Sequence, residues 1–270
     1  PSEAQLAQTE NLRLLQLTWA GADKYTRMEN LPQSVVLANA SGAFGTIIAE
    51  YVIGSLVALY RSFGRYWSNK QAHIWQKYDH AETISGKTAL VLGMGDIGVN
   101  VARRLKVFGA AVLGVKRTAV SAVPADFEEA HTLDALDALL PRADIVIGCL
   151  PNTRETAGLL TAERLHAMKA GAVLVNVGRG SLAGTDDLVS ALQDGHLGGA
   201  ALDVFETEPL PADCPLWDME NVLLTPHIAG PSFGGSADVQ NTIWHICMDN
   251  LERYLTGNPL KNVVNRSEGY

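Results

Sequence analysis

Arg179, Glu208 and His227 are the residues of this chain best suited to do chemistry together. Each lies just beyond an apolar run that reads as a β-strand. Arg179 sits in Val175-Asn176-Val177-Gly178-Arg179-Gly180, Glu208 in Asp203-Val204-Phe205-Glu206-Thr207-Glu208-Pro209, and His227 in Leu224-Thr225-Pro226-His227-Ile228. A guanidinium can grip a carboxylate with two parallel N–H bonds and can stabilise negative charge growing on a carbonyl oxygen. An imidazole titrates near working pH, so His227 is a candidate proton donor to an alkoxide, and the base in the reverse direction. A neighbouring carboxylate, Glu208, would orient the ring and favour its charged form. The set is the one needed to hold a 2-oxo acid and protonate its carbonyl. Each member also has a plainer reading. Arg179 could pair with a surface acid, His227 is one of seven histidines, and Glu208 lies in an exposed acidic stretch with Glu206. Asp203 ends the apolar run Ala200-Ala201-Leu202, where an unpaired carboxylate is costly. A nicotinamide amide or backbone N–H groups would satisfy it.

Upstream, Gly93-Met94-Gly95-Asp96-Ile97-Gly98 follows an apolar run and opens a helical pattern. In that context the spacing is a dinucleotide-binding fingerprint. Gly93 permits the tight turn, Gly95 lets the backbone approach a pyrophosphate, and Gly98 lets the helix pack close to the strand. The helix N-terminus adds N–H groups and partial positive charge. Asp96 is a tension here, since its carboxylate would repel phosphate unless it points to solvent. An NAD site usually carries Asp or Glu at the end of the next strand, about 20 residues on, to bond the ribose 2′-hydroxyl. Lys116 stands there instead, with Arg117 and Thr118 beside it. Two cations and a hydroxyl suit a 2′-phosphate through charge-assisted hydrogen bonds, which favours NADP(H) and leaves NAD(H) open. Two solvated surface cations are the plainer alternative.

Elements that would place these residues follow from hydrophobic patterning. Strands are expected at Leu12–Leu17, Val35–Ala38, Ala89–Leu92, Ala111–Val115, Ile145–Leu150, Ala172–Val177, Ala200–Val204 and Val222–Leu224. Helices are expected at Gly45–Phe63, Ile97–Phe108, Leu133–Leu140, Ala162–Met168, Asp186–Gln193 and Ala237–Leu255, with Arg65 to Thr83 irregular. From Gly86 on, nearly all-apolar strands alternate with helices, which predicts a parallel sheet covered on both faces, a doubly wound (Rossmann) α/β domain. Ligands of such sheets bind beyond the carboxyl ends of the strands, so one crevice can collect Gly93, Arg179, Asp203 and His227.

With 270 residues, 47% of them apolar, the chain has the material for one large or two modest cored domains. A net charge of −8 without a basic stripe argues against a nucleic-acid surface. The three cysteines fit no metal spacing and suit a reduced, cytoplasmic protein. The apolar stretch from Ile47 to Tyr60 contains Glu50 and is shorter than the roughly 20 residues of a membrane span. No targeting segment is visible at the N-terminus. The chain starts without Met, as a piece or a processed form would.

Taken together, these motifs resemble the D-2-hydroxyacid dehydrogenase family, with glyoxylate/hydroxypyruvate reductases among its members. The resemblance runs from Asn11-Leu12-Arg13 to Val263-Val264-Asn265. It includes Ala20-Gly21-Ala22-Asp23, Ala49-Glu50, the glycine turn, Leu150-Pro151-Asn152-Thr153, Asn176-Val177-Gly178-Arg179-Gly180, Ala201-Leu202-Asp203-Val204, Glu208-Pro209-Leu210-Pro211 and Thr225-Pro226-His227-Ile228. It implies an Arg–Glu–His set at Arg179, Glu208 and His227, and substrate carboxylate binding by backbone N–H groups near Ala20 and Gly21. Cofactor contacts are implied at the glycine turn, Lys116, Arg117, Thr118, Leu150, Pro151, Thr156, Val177, Asp203, His227 and Gly230. Glutamate at 208 disfavours the formate dehydrogenase branch. The resemblance further implies a homodimer joined in part through the long helix. It also implies a cofactor domain over 45–236 and a smaller flavodoxin-like α/β substrate domain from 1–44 and 237–270. Family members carry roughly 50 more residues, the length of a βαβα stretch, ahead of what is Leu12 here. Without them the strand at Leu12–Leu17 is expected to lack neighbours and apolar cover. The expected function is reversible NADP(H)-linked reduction of a small 2-oxo acid to the D-2-hydroxy acid, with no metal and no nucleic-acid or membrane partner. A corepressor-like dinucleotide-sensing binding protein and a catalytically impaired fragment are the alternatives.

Overall fold

The computed structural model describes residues 1–9, 11–79, 81–231, 233 and 235–270. Its strands are β1 (Leu14–Gln16), β2 (Val36–Ala38), β3 (Thr88–Leu92), β4 (Ala111–Lys116), β5 (Glu129–Thr132), β6 (Ile145–Gly148), β7 (Ala172–Asn176), β8 (Leu197–Leu202) and β9 (Val222–Leu224). The helices are α1 (Glu3–Ala7), α2 (Asp23–Thr26), α3 (Gly45–Tyr60), α4 (Phe63–Gln71), α5 (Asp96–Val107), α6 (Leu136–Leu139), α7 (Ala162–Ala167), α8 (Thr185–Gln193) and α9 (Ala237–Thr256). Two compact units result, one of 45–150 and 154–229, the other of 1–44, 151–153 and 230–270.

The larger unit is a seven-stranded parallel sheet in the order β5-β4-β3-β6-β7-β8-β9. Chain order reverses between β3 and β6, which is the topological switch point of a doubly wound fold. The interior strands are apolar because both faces are covered: Leu90, Leu92, Val146 and Leu174 have no exposed surface. α3 packs along α5, burying Ile48, Ala49, Val52 and Leu56 on one side. This unit ends at Ala229, whose N–H donates to Asp203 Oδ2, rather than at residue 236.

Three departures from the sequence reading have physical causes. Residues 63–71, expected to be irregular, form α4, whose residues are all at least partly exposed. A helix without a buried stripe leaves no apolar periodicity to read. The long helix stops at Tyr60 because Ser62 adopts φ 52, a left-handed conformation that ends the helix before α4 begins. The edge strand β5, Glu-Ala-His-Thr, is half-exposed and polar, and escaped notice for that reason.

In the smaller unit β1 and β2 pair in parallel, Leu14 beside Val36 and Gln16 beside Ala38. Leu15 and Leu17 are buried with Leu6, Tyr25, Met28, Leu31, Leu37 and Val264. The expectation that the Leu12–Leu17 strand lacks neighbours and cover is therefore corrected: β2, α2 and the C-terminal tail provide both. α9 is tied to β1 by Asn250, fully buried, which donates to Gln16 Oε1 at 2.7 Å and to the Lys261 carbonyl at 2.9 Å.

Candidate active site

Parallel register brings the strand ends level. Leu92 is paired with Val115 and with Gly148, Gly148 with Asn176, Asn176 with Leu202, and Leu202 with Leu224. The residues just past this row are Gly93, Lys116, Cys149, Val177, Asp203 and Thr225. Lys116 thus ends the strand on one side of β3, and the Arg179 loop follows the second strand on the other side. At the usual spacing of neighbouring strands those two flanks lie about 5 and about 10 Å from the glycine turn. That is the order in which an extended dinucleotide would present its ribose phosphate, pyrophosphate and nicotinamide.

His227 and Glu208 meet. Nδ1 of His227 is 2.9 Å from Glu208 Oε2, and Glu208 Oε1 accepts the Phe205 N–H at 3.0 Å. A carboxylate only accepts, so Nδ1 carries the hydrogen and Nε2 is left to exchange a proton with a ligand. The imidazole is about half-exposed. Its backbone is held in the left-handed region, φ 55, a conformation that costs an ordinary L-residue about 1 kcal/mol or more. Asp203, 2% exposed, maintains it. Its carbonyl accepts the His227 N–H at 2.8 Å, and its carboxylate accepts Thr225 Oγ1–H at 2.6 Å, Ile228 N–H at 2.8 Å and Ala229 N–H at 2.9 Å. The Asp203 carboxylate is thus held by two backbone N–H groups and one hydroxyl.

Arg179 follows β7. Asn176, 2% exposed, closes its loop: Nδ2 donates to the Arg179 carbonyl at 2.9 Å and Oδ1 accepts the Gly178 N–H at 3.2 Å. Arg179 Nη1 donates to the Gly178 carbonyl at 2.7 Å. Gly180 lies directly on Phe205, where a Cβ would overlap the Phe205 carbonyl. That contact joins the arginine loop to the loop whose Phe205 N–H is held by Glu208. All three residues therefore belong to one end of one sheet.

The glycine turn fits a dinucleotide. Gly93 has φ 106, and its N–H donates to the Val115 carbonyl at 2.9 Å. A Cβ on Gly98 would overlap the Gly93 carbonyl oxygen, whereas one on Gly95 would meet nothing within 4 Å. Backbone is thus packed beneath the turn and open above it. The helix begins with Val99 N–H to the Gly95 carbonyl, so the N–H groups of its first turn precede the ladder. Asp96, the tension noted in the sequence, does not turn to solvent. It is half-buried, bonded by the Gly45 N–H and by Asn100 Nδ2 at 3.2 Å; burial raises its pKa and these two donors oppose the rise. The fold thereby draws the carboxylate towards the start of α3. Met94 packs on Gly114. Ile97, Leu150, Val177 and Thr156 line the same unit, the last three buried.

Lys116 is the last residue of β4, with Arg117 and Thr118 exposed beyond it and Thr132 of β5 as its register partner. Burial pushes the Cys149 thiol up to about 12. Ala20, Gly21, Pro151 and Gly230 belong to the smaller unit, where Asn39 Nδ2 donates to the Ala20 carbonyl at 2.7 Å. A cavity of about 460 Å³ in the larger unit is lined by Tyr60, Arg65, Lys87, Asp144 and Glu220. It lies at the amino ends of the strands, away from these residues, and its cations pair with lining acids, Arg65 with Glu220 at 2.9 Å and Lys87 with Glu82 at 2.7 Å. Among the described residues no His/Cys/Asp/Glu cluster could hold a metal, and no single helix is long and apolar enough to cross a membrane.

Residues 53–229 match the sequence profile of the NAD binding domain of D-isomer specific 2-hydroxyacid dehydrogenases, and the chain belongs to that family. Glyoxylate reductase of Thermofilum pendens is 32% identical over 264 residues, covering 95% of this chain and 76% of that protein. Among solved structures, a D-isomer specific 2-hydroxyacid dehydrogenase family protein from Aeromonas salmonicida is 38% identical with a TM-score of 0.87, covering 98% of this chain and 82% of its own. The NADPH-dependent glyoxylate/hydroxypyruvate reductase of Sinorhizobium meliloti, solved with NADP and sulfate, is 30% identical with a TM-score of 0.88, covering 100% of this chain and 84% of its own. The chain is thus an oxidoreductase of the NAD(P)-dependent class.

Three contributors to the site were missed in the sequence. Asn176 and Thr225 were visible only as neighbours of Arg179 and His227, and Tyr51 is one of two phenols in an apolar helix, 174 residues away from its partner.

Proposed function

We propose that this protein reduces small 2-oxo acids to D-2-hydroxy acids with NADPH, glyoxylate and hydroxypyruvate being the first substrates to try. The observation that carries the reading is the bond from His227 Nδ1 to Glu208, made at the strand ends next to the Arg179 loop. NADPH, when bound, supplies a hydride to the carbonyl carbon. Arg179 grips the substrate carboxylate and steadies the negative charge gathering on the carbonyl oxygen. His227, charged at the start, gives the Nε2 proton to that oxygen and ends neutral; Glu208 keeps the ring oriented and compensates its charge. Gly93, Gly95 and the first turn of α5 would hold the pyrophosphate, and Lys116, Arg117 and Thr118 the 2′-phosphate. Asp203 and Thr156 are proposed near the nicotinamide, and Ala20 and Gly21 are carried as substrate ligands on the family resemblance.

A 2-oxo acid panel run with NADPH and NADH in parallel tests this. The expected outcome is turnover of glyoxylate or hydroxypyruvate with NADPH preferred. His227→Ala should lower kcat at least about a hundredfold while NADPH binding stays nearly intact. Wild-type turnover in that variant removes His227 from the mechanism.

The reading extends to a homodimer. α4 and the segment after it expose Phe63, Trp67, Ile74 and Trp75, the last 98% exposed, and α3 leaves Ile47, Ile53 and Val57 only half-covered. A second copy of this chain is the proposed cover.

A further inference from the structure

The turn that carries His227 is anchored by a chain of hydroxyls that the reaction does not itself use. Tyr51, in the second turn of α3, has its phenol oxygen 2.6 Å from Thr225 Oγ1, and Thr225 Oγ1 lies 2.6 Å from Asp203 Oδ1. Both separations are short hydrogen bonds, and each needs one proton between its oxygens. A carboxylate only accepts, so the Thr225 proton lies towards Asp203. Thr225 then has no proton left to give, and Tyr51 is the donor in the other bond. The chain has one direction: Tyr51 O–H to Thr225, Thr225 O–H to Asp203. Burial, followed by the charge of Asp203, pushes the Tyr51 pKa up, while bonds with Thr225 and Ser55 pull against it. The net rise keeps the phenol a donor.

Downstream of this chain, Asp203 spends its remaining bonds on the backbone. Oδ1 also takes the Ile228 N–H and Oδ2 the Ala229 N–H, the two residues after His227. The Asp203 carbonyl takes the His227 N–H. We propose that Tyr51 and Thr225 are positioning residues for His227: they fix the Asp203 carboxylate, which clamps residues 228 and 229 and so holds the left-handed turn that brings Nδ1 to Glu208. Neither hydroxyl touches substrate. Remove either and the carboxylate loses its lateral support, the turn relaxes towards ordinary φ, and the imidazole drifts from its partner. A displacement of about 1 Å at such a group can cost up to about a hundredfold in rate. This inference rests on His227 being the proton donor.

Thr225→Val and Tyr51→Phe each delete one hydroxyl at nearly constant shape. Each should lower kcat about tenfold or more, with the NADPH Kd, read by nicotinamide fluorescence, changed less than about twofold. Thr225→Ser, which restores the hydroxyl, should recover most of the rate. In a His227→Ala background the same two deletions should alter residual turnover less than about twofold, because what they position is gone. A full additional loss in that background, or wild-type kcat in both single variants, overturns the proposal. Unchanged activity in His227→Ala alone would instead remove the proton-donor reading. Crystal structures provide a readout independent of turnover. In Thr225→Val the Nδ1 to Oε2 separation should exceed about 3.5 Å, and an unchanged 2.9 Å turn refutes the positioning role. Tyr51→Phe is the milder change and carries both measurements should Thr225→Val fail to fold.

Discussion

Lys116 carries the choice of cofactor at the scale of a single residue. A ribose 2′-hydroxyl wants a carboxylate acceptor at this strand end, a 2′-phosphate wants donors, and Lys116 and Arg117 offer donors alone, with the Thr118 hydroxyl able to donate beside them. Lys116→Asp should therefore raise KM for NADPH about tenfold or more, the worth of one charge-assisted hydrogen bond, and lower KM for NADH. Steady-state kinetics with both cofactors would read this, and an NADPH preference that survives the change would move recognition elsewhere. The residues proposed to react stood out in the sequence because their chemistry is unusual for where they sit: an arginine between glycines, a histidine after Thr-Pro, a glutamate before proline, each past an apolar run. Their supports were not. Asn176, Thr225 and Tyr51 are ordinary residues whose role depends on pairings 3 to 174 positions apart. No local pattern in the chain encodes the last of these. Where the Asp96 carboxylate goes was hidden for the same reason, since its partner Gly45 lies at the start of another helix.

At the scale of elements, strand ends and close backbone contacts do the positioning. α5 can lie against the turn after β3 only because position 98 lacks a Cβ. Gly98→Ala should push the helix away from the Gly93 carbonyl and destabilise the fold by about 1–3 kcal/mol, as overpacking does. Denaturant melts would show the loss, and NADPH affinity should fall with it; a variant that melts and binds like the parent would mean the turn is looser than its packing indicates. Asp144, just before β6, accepts the Thr88 N–H at 2.8 Å and pairs with Lys169 at 2.9 Å, joining β3 and β6 at their starts. Burial opposes its charge, but the Thr88 bond and Lys169 outweigh it and hold the carboxyl below its usual range. A depressed folded value means the stabilisation is complete above the unfolded pKa and is lost as pH falls through the folded one. Asp144→Asn should thus lose stability at pH 7, and the gap to the parent should be smaller at an acid pH below the ordinary carboxylate range, measured by paired urea melts. Equal gaps at both pH values would refute the linkage. Buried strands such as β3, β6 and β7 were legible from their apolar runs. β5 and α4 were not, because an exposed edge and an exposed helix bury no stripe.

At the scale of the whole molecule, the exposed aromatic surface of 63–75 is the feature a lone chain does least to justify. Phe63 is 54%, Trp67 64% and Trp75 98% exposed, far more apolar surface in one short segment than scattered exposure produces. Large aromatics are what protein interfaces concentrate at their centres. The long helix leading into this segment keeps its own half-covered side chains, and under the proposed dimer both elements would face a symmetric copy, an arrangement in which the same patch serves both partners. Sedimentation of the parent should then give twice the 28.9 kDa chain mass. Trp67→Glu combined with Trp75→Glu puts two like charges on each side of that contact, four across the symmetric interface, and should release monomers that keep the far-ultraviolet circular dichroism of the parent. The pair lies away from Arg179, Glu208 and His227 in sequence and on a different element, so a monomer that still binds NADPH would separate assembly from the cofactor site. A parent that sediments at 28.9 kDa leaves this face without the partner assigned to it.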